Sequence, residues 1–257
     1  MLPYEMAEAL RLPEVIDREL PPPGSSRGYK SSQFVMPLVL MLHGGGRKLD
    51  DLRELKGEVS LRELLEMKGL PASCTVGDWF RRMGKDGRGL SGLGRANHHT
   101  VTEVLKRDKR TEYTLDTDAT VIESGKEEAK WTYKKEKGYQ PLLGFLFELG
   151  LILEDEFREG NIPAGAGAVE FLEACHRLMP KGKRIAYYRS DSAAYQAGVI
   201  NSCFEHKTLF TITADQDKAV KESIKTIREE EWPPHENDRE IAQTVHTMNK
   251  TKEAFRL

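Results

Sequence analysis

The period of apolar positions changes once along the chain, near residue 111. Before it, apolar residues recur at helical spacing. Leu38, Leu40, Met41 and Leu42 form an apolar stretch ended by Gly44-Gly45-Gly46, and Leu49, Leu52 and Leu55 continue the pattern to Gly57. Ser60 with Glu63 has capping-box spacing, and it opens a further helix with Leu61, Leu64, Leu65 and Met67 as its buried stripe. A short helix is also predicted within Leu70–Met83, after its polar Ser/Thr start, and another over Ala96–Lys106. Residues 1–30 hold a short helix over Tyr4–Leu12, then Pro13 and the Pro21-Pro22-Pro23-Gly24 run, and read as an arm or linker.

After residue 111 the pattern becomes that of strands. One strand runs over 113–123, and two more flank the Leu149-Gly150 joint as a hairpin, giving three antiparallel strands. Val169–Met179 has helical spacing and leads, as a crossover, into a strand over Arg184–Arg189. A helix over Ala193–Glu205, a strand over Thr208–Thr213 and a charged helix over Lys218–Glu231 follow. The chain stops at Ala254-Phe255-Arg256-Leu257 without a helix terminator or polar tail, and reads as truncated.

Composition narrows the class. With 257 residues and 39% hydrophobic content the chain can bury a real core, and a formal net charge of -2 gives no global field toward nucleic acid. Any basic surface must be local. Cys74, Cys175 and Cys203 are odd in number and far apart, which reads as reduced core residues of a cytosolic protein. The longest apolar run, Phe34–Leu42, is too short to span a bilayer, and no secretory leader is visible.

Candidate chemistry starts in the strand Thr114-Leu115-Asp116-Thr117-Asp118-Ala119-Thr120. Side chains alternate along a strand, so Asp116 and Asp118 share a face. Paired carboxylates are costly to bury without a cation or donors, so such a strand holds a metal, ends at an open sheet edge, or is solvated. Asp191 follows the strand at Arg184–Arg189, at the carboxyl edge of a parallel sheet, where α/β proteins place ligands; an ordinary helix N-cap is the alternative. His98 and His99 are adjacent on a helix, about 100° apart, and make a poor metal pair. Between residues 78 and 110 basic residues outnumber acidic ones. Arg81, Arg82, Lys85 and Arg88 open this patch on a helix of helix-turn-helix character, although arginines at a helix C-terminus are explained equally by the helix dipole.

The order strand with Asp, two antiparallel strands, helix, strand ending in Asp, helix, strand resembles the ribonuclease H-like core of DDE transposases, most closely the bacterial insertion-sequence-1380 type. The residues that carry it are Leu115-Asp116-Thr117-Asp118-Ala119-Thr120, Gly138-Tyr139-Gln140-Pro141-Leu142-Leu143, Arg158-Glu159-Gly160-Asn161 and Arg189-Ser190-Asp191-Ser192, in order over residues 60–257. The resemblance implies an α/β fold, a mixed sheet of three antiparallel strands plus parallel strands with crossover helices, preceded by an α-helical region. It implies a helical DNA-binding region over 31–110, a catalytic core over 111–217, incomplete in this chain, and the start of an insertion over 218–257.

The resemblance further maps the first two catalytic acids onto Asp118 and Asp191, with Asp116 as a competing or assisting metal ligand. Arg81, Arg82, Lys85 and Arg88 become DNA contacts. Carboxylates on neighbouring strands can bridge two Mg²⁺ (or Mn²⁺) ions about 4 Å apart that activate a nucleophile and stabilise the leaving oxygen. The implied partner is double-stranded DNA, as terminal inverted repeats and target, bound by a homodimer in the bacterial cytoplasm, with no membrane. The third acid, a glutamate, has no assignable position: Glu229, Glu230 and Glu231 follow the last strand too closely and read as a solvated face. On this reading the chain alone is inactive. Two other readings stay open: a phosphatase of the haloacid-dehalogenase type using Asp116-Thr117-Asp118-Ala119-Thr120, with Asp116 as nucleophile, and a non-catalytic transposase-derived DNA-binding protein.

Overall fold

A computed structural model describes residues 2–25, 27–57, 69–237 and 239–257. The chain forms two compact units, Met1–Arg107 and Asp108–Leu257.

The first unit is helical: α1 (Leu2–Ala9), α2 (Leu12–Glu19), α3 (Ser32–His43), a 3₁₀ turn (Leu49–Asp51), α4 (Leu52–Gly57), α5 (Ser73–Gly84) and α6 (Arg88–Arg107). The helix expected from Ser60 to Met67 lies outside the described residues. The expectation of an arm or linker over residues 1–30 does not hold. Pro13 falls in the first turn of α2, where a missing N–H costs nothing, so it starts a helix instead of breaking one. Val15, Ile16 and Leu20 are then buried with Phe34, Met41, Val76, Trp79 and Met83. Asp17 accepts from the backbone N–H (2.8 Å) and hydroxyl (3.0 Å) of Ser32, tying α2 to the start of α3 across the proline loop. Trp79 stacks on Phe34, ring centroids 4.9 Å apart. Gly92 lets α6 approach α2: a Cβ there would lie 2.5 Å from the Glu19 carbonyl oxygen.

The second unit is built on a five-stranded sheet in the order β6-β5-β1-β7-β8, from β1 (Glu112–Ala119), β5 (Leu142–Leu146), β6 (Leu151–Glu156), β7 (Arg184–Ser190) and β8 (Leu209–Ile212). β1 pairs antiparallel with β5 and β5 with β6, whereas β1 pairs parallel with β7 and β7 with β8. Each parallel step needs a crossover, supplied by α7 (Ala168–Leu178) before β7 and α8 (Ala197–Glu205) before β8. This is the mixed sheet expected from the sequence. Along β1, Tyr113, Leu115 and Thr117 are buried while Glu112, Thr114, Asp116 and Asp118 take the more exposed positions, so the two carboxylates share a face. Leu146, Leu153, Leu172, Ile185, Tyr188, Val199 and Cys203 are also buried in this unit.

Three local expectations change. The strand expected over 113–123 stops at Ala119, and the chain enters a small sheet, β2-β4-β3, of β2 (Ile122–Glu123), β3 (Lys130–Trp131) and β4 (Lys137–Tyr139). Gly138 permits this pairing, because a Cβ there would sit 2.2 Å from the Ile122 carbonyl oxygen. The helix expected from Ala193 is a 3₁₀ turn (Ser192–Ala194), and α8 starts only at Ala197. The charged helix ends early, as α9 (Lys218–Lys225), and Val220 packs with Tyr195, Ile200 and Phe255. Cys175 and Cys203 are buried, and burial pushes both thiols up, that of Cys203 to about 12. Cys74, expected in the core, is exposed. Among the described residues no helix is long and apolar enough to cross a membrane.

Where α7 meets α8, His176 stacks on His206 at 3.8 Å, and Glu173 accepts from Ser202 Oγ (2.6 Å) and lies 3.0 Å from His206 Nε2. Burial, then the neighbouring His206, pull His176 from 6.5 down to about 4. A histidine whose folded value lies below its unfolded one stabilises the fold fully above pH 6.5 and loses that contribution as pH falls toward 4. Partial solvent screening leaves about 1–2 kcal/mol of the effect. Thermal melts between pH 7 and 4.5 should therefore show a falling midpoint for the second unit, and His176→Gln should flatten that slope.

Candidate active site

β1 and β7 run parallel, and β1 continues two residues past the end of their pairing, held there by β5. Their last paired residues are Thr117 and Ser190, so Asp118 and Asp191 each lie one residue further on, at the carboxyl ends of adjacent strands. Buried hydroxyls hold the two ends. Thr117 Oγ1 is 2.7 Å from the Tyr188 hydroxyl and donates to Ser190 Oγ at 3.1 Å, while Ser190 Oγ donates to the Thr117 carbonyl at 3.0 Å. Burial raises the Tyr188 phenol above its ordinary value, so this network stays neutral.

Both carboxylates line one small pocket with Ala119, Ala164, Gly165, Ala168, Phe171 and Ala193. Both are exposed. Asp118 receives only a long contact, 3.5 Å, from Thr120 Oγ1. Asp191 caps the 3₁₀ turn, one oxygen accepting from the Ala193 N–H at 3.0 Å. Neither makes an ion pair among the described residues. Their remaining oxygens are therefore open, hard, anionic donors, the type that Mg²⁺ or Mn²⁺ takes, and the residues present fit such a cation. Asp118 and Asp191 are the pocket's only carboxylates among the described residues, and no group of three His, Cys, Asp or Glu converges there.

Asp116 is placed differently from the expectation that it shares the metal. Its two oxygens accept from Arg189 Nε and Nη2, both at 2.6 Å, and it does not line the pocket. Arg189 faces it across the parallel pair and stacks 4.4 Å from the Phe147 ring centroid. A bidentate guanidinium takes one lone pair on each oxygen and offsets their charge, which makes Asp116 a weaker ligand or nucleophile than Asp118. The same pair weighs against the phosphatase reading, whose nucleophile is Asp116, as does the antiparallel neighbour of β1.

Arg81 and Arg82 lie on α5, Lys85 follows it and Arg88 opens α6. Val76, Trp79 and Met83 face the helical core, and Arg81 and Arg82 are exposed. Arg81 pairs with Asp78 (2.6 Å) and Arg88 with Asp86 (2.7 Å). Arg82 and Lys85 make no ion pair among the described residues. Sequence reasoning passed over Thr117, Tyr188 and Ser190 as parts of the site. The available signal was a Thr between two acids opposite a strand ending in Tyr-Arg-Ser.

The β6-β5-β1-β7-β8 sheet is mixed, antiparallel on one side of β1 and parallel on the other, with Asp118 and Asp191 just past the last paired residues of its central parallel pair. The chain belongs to the family described as Transposase DDE domain group 1, whose model matches residues 2–254. The family implies use of a divalent metal ion. Similar solved structures include the Mos1 strand transfer complex (12% identity, TM-score 0.28, covering 79% of this chain and 67% of that chain). Others are the Mos1 transposase paired-end complex with left transposon end (11%, 0.29, 74% and 61%) and the Mos1 mariner paired end complex with Mn (12%, 0.30, 78% and 67%). The chain thus spans 61% to 67% of the length of these proteins. No curated protein matches it.

Proposed function

We propose that the chain acts on transposon-end DNA, supporting metal-dependent phosphodiester cleavage and strand transfer through Asp118 and Asp191. The observation that carries this is the placement of two unpaired carboxylates at the ends of adjacent parallel strands, in one pocket. Asp118 and Asp191 would hold Mg²⁺ or Mn²⁺, which when bound activates a hydroxyl nucleophile and stabilises the leaving oxygen. The Thr117, Tyr188 and Ser190 hydroxyls fix the strand ends beneath the carboxylates, and Ala193 orients Asp191. The reading is tested on a duplex carrying the terminal repeats that flank the coding sequence, incubated with Mg²⁺ or Mn²⁺. Nicking at the repeat ends supports it, and hydrolysis of a small phosphate ester that depends on Asp116 would replace it with the phosphatase.

DNA is held, on this proposal, by the basic surface of α5 and its following turn, with two copies of the chain bringing two ends together. Arg82 and Lys85, which make no ion pair among the described residues, contribute more than Arg81 and Arg88. Changing Arg82 and Lys85 to Ala together should weaken binding and lower the slope of log affinity against log salt by about two, one for each phosphate no longer neutralised. Unchanged slopes in titrations from low to moderate salt would remove these residues from the interface.

A further inference from the structure

Arg158 is outside the two-carboxylate pocket, and its side chain is buried, 4% exposed, without a carboxylate in ion-pair reach among the described residues. Its guanidinium instead grips backbone. Nε donates to the Gln140 carbonyl (3.2 Å), Nη1 to that of Ala166 (2.7 Å) and Nη2 to that of Ala164 (3.3 Å). Its own carbonyl accepts from the Gln140 N–H (2.9 Å), just before β5, whose Leu143 pairs with Asp118. Burying a cation against neutral carbonyls is costly, and only a planar fork with several donors satisfies three carbonyls at once.

Two of those carbonyls, of Ala164 and Ala166, flank Gly165, which lines the pocket. The Gly165 carbonyl accepts from Gln196 Nε2 (2.7 Å), and the same nitrogen donates to the Ala193 carbonyl (2.8 Å). Ala193 is the residue whose N–H holds Asp191. Gly165 has no room for a side chain, since a Cβ would stand 2.3 Å from the Ala193 carbonyl oxygen. A continuous path of hydrogen bonds and pairing therefore runs from the strand beside Asp118, through Arg158, the loop at 163–167 and Gln196, to the turn that orients Asp191. We infer that Arg158 and Gln196 are positioning residues that latch this loop onto the Asp191 turn and set the two carboxylates at a fixed separation for a divalent cation. The inference rests on the proposal that Asp118 and Asp191 share a cation. It also gives the Arg158-Glu159-Gly160-Asn161 motif a physical role.

The test uses the whole chain and Mn²⁺ alone, with affinity measured by electron paramagnetic resonance of the free ion. Hydrogen exchange over 163–167 and 191–196 and the melting midpoint are recorded beside it. Gln196→Ala and Arg158→Lys should weaken Mn²⁺ binding about 10- to 100-fold, the range for residues that orient metal ligands, and speed exchange in both segments together, with the midpoint unchanged in Gln196→Ala. Affinity retained by folded variants, or lost only in step with the midpoint, overturns the inference. If Arg158→Lys does not fold, Gln196→Ala decides alone. If wild-type Mn²⁺ binding is indifferent to Asp118→Asn and Asp191→Asn, the shared-cation proposal fails. The latch is then judged by exchange: unchanged protection in Gln196→Ala sinks it, and coupled loss in both segments upholds it.

Discussion

Asp118→Asn and Asp191→Asn should each lower metal-dependent nicking at transposon ends by about 10³-fold or more, because each removes an anionic donor whose cation contributes several kcal/mol of charge stabilisation in the transition state. Asn keeps the size of Asp and one oxygen. Both side chains are exposed and make no ion pair among the described residues, so the melting midpoint should stay put, and the loss is attributable to chemistry instead of folding. Asp116→Asn should be the mild member of the set. It breaks the pair with Arg189 but leaves the pocket's donors intact. Rates measured under single-turnover conditions, with end-DNA affinity alongside, make the comparison. Nicking that survives Asp191→Asn, or that fails only in Asp116→Asn, would sink the assignment.

That contrast between two aspartates on one strand marks what the sequence could and could not tell. Alternation alone placed Asp116 and Asp118 on one face. Their different partners came from Arg189, 73 residues away, which pairing of β7 with β1 brings opposite Asp116. Such a partner follows from register, and register across a crossover helix is set by packing that no local pattern records. Asp191 was legible because a strand period ended at it. The β2-β4-β3 sheet was not, because strands of two or three residues carry no period to detect. Helix α2 was hidden for a different reason. Pro13 and the later prolines read as breakers, whereas the helical spacing of Leu12, Val15, Ile16 and Leu20 was the stronger signal. The grip of Arg158 on three carbonyls has no sequence signature beyond the motif that contains it.

Leu115→Ala should be the most damaging single change in the second unit, and it links the core to the site. Leu115 is fully buried at the centre of β1, paired with Leu146 on one side and Tyr188 on the other, both themselves buried. Across the sheet face, a Cβ on Gly144 would lie 3.4 Å from Leu115 Cδ1 and 3.2 Å from Phe171, so the leucine fills the space between β5 and α7. Its neighbours are locked by pairing on both flanks, which leaves little freedom to collapse into the cavity. A cost near the upper end of the Leu→Ala range, about 3–5 kcal/mol, follows. Because the two units have separate cores, calorimetry should show the transition of 108–257 move to lower temperature while that of 1–107 stays in place. Mn²⁺ binding should weaken as well, since Asp118 is three residues along the same strand. A single unshifted transition, or equal shifts in both, would show that Leu115 does not hold this core.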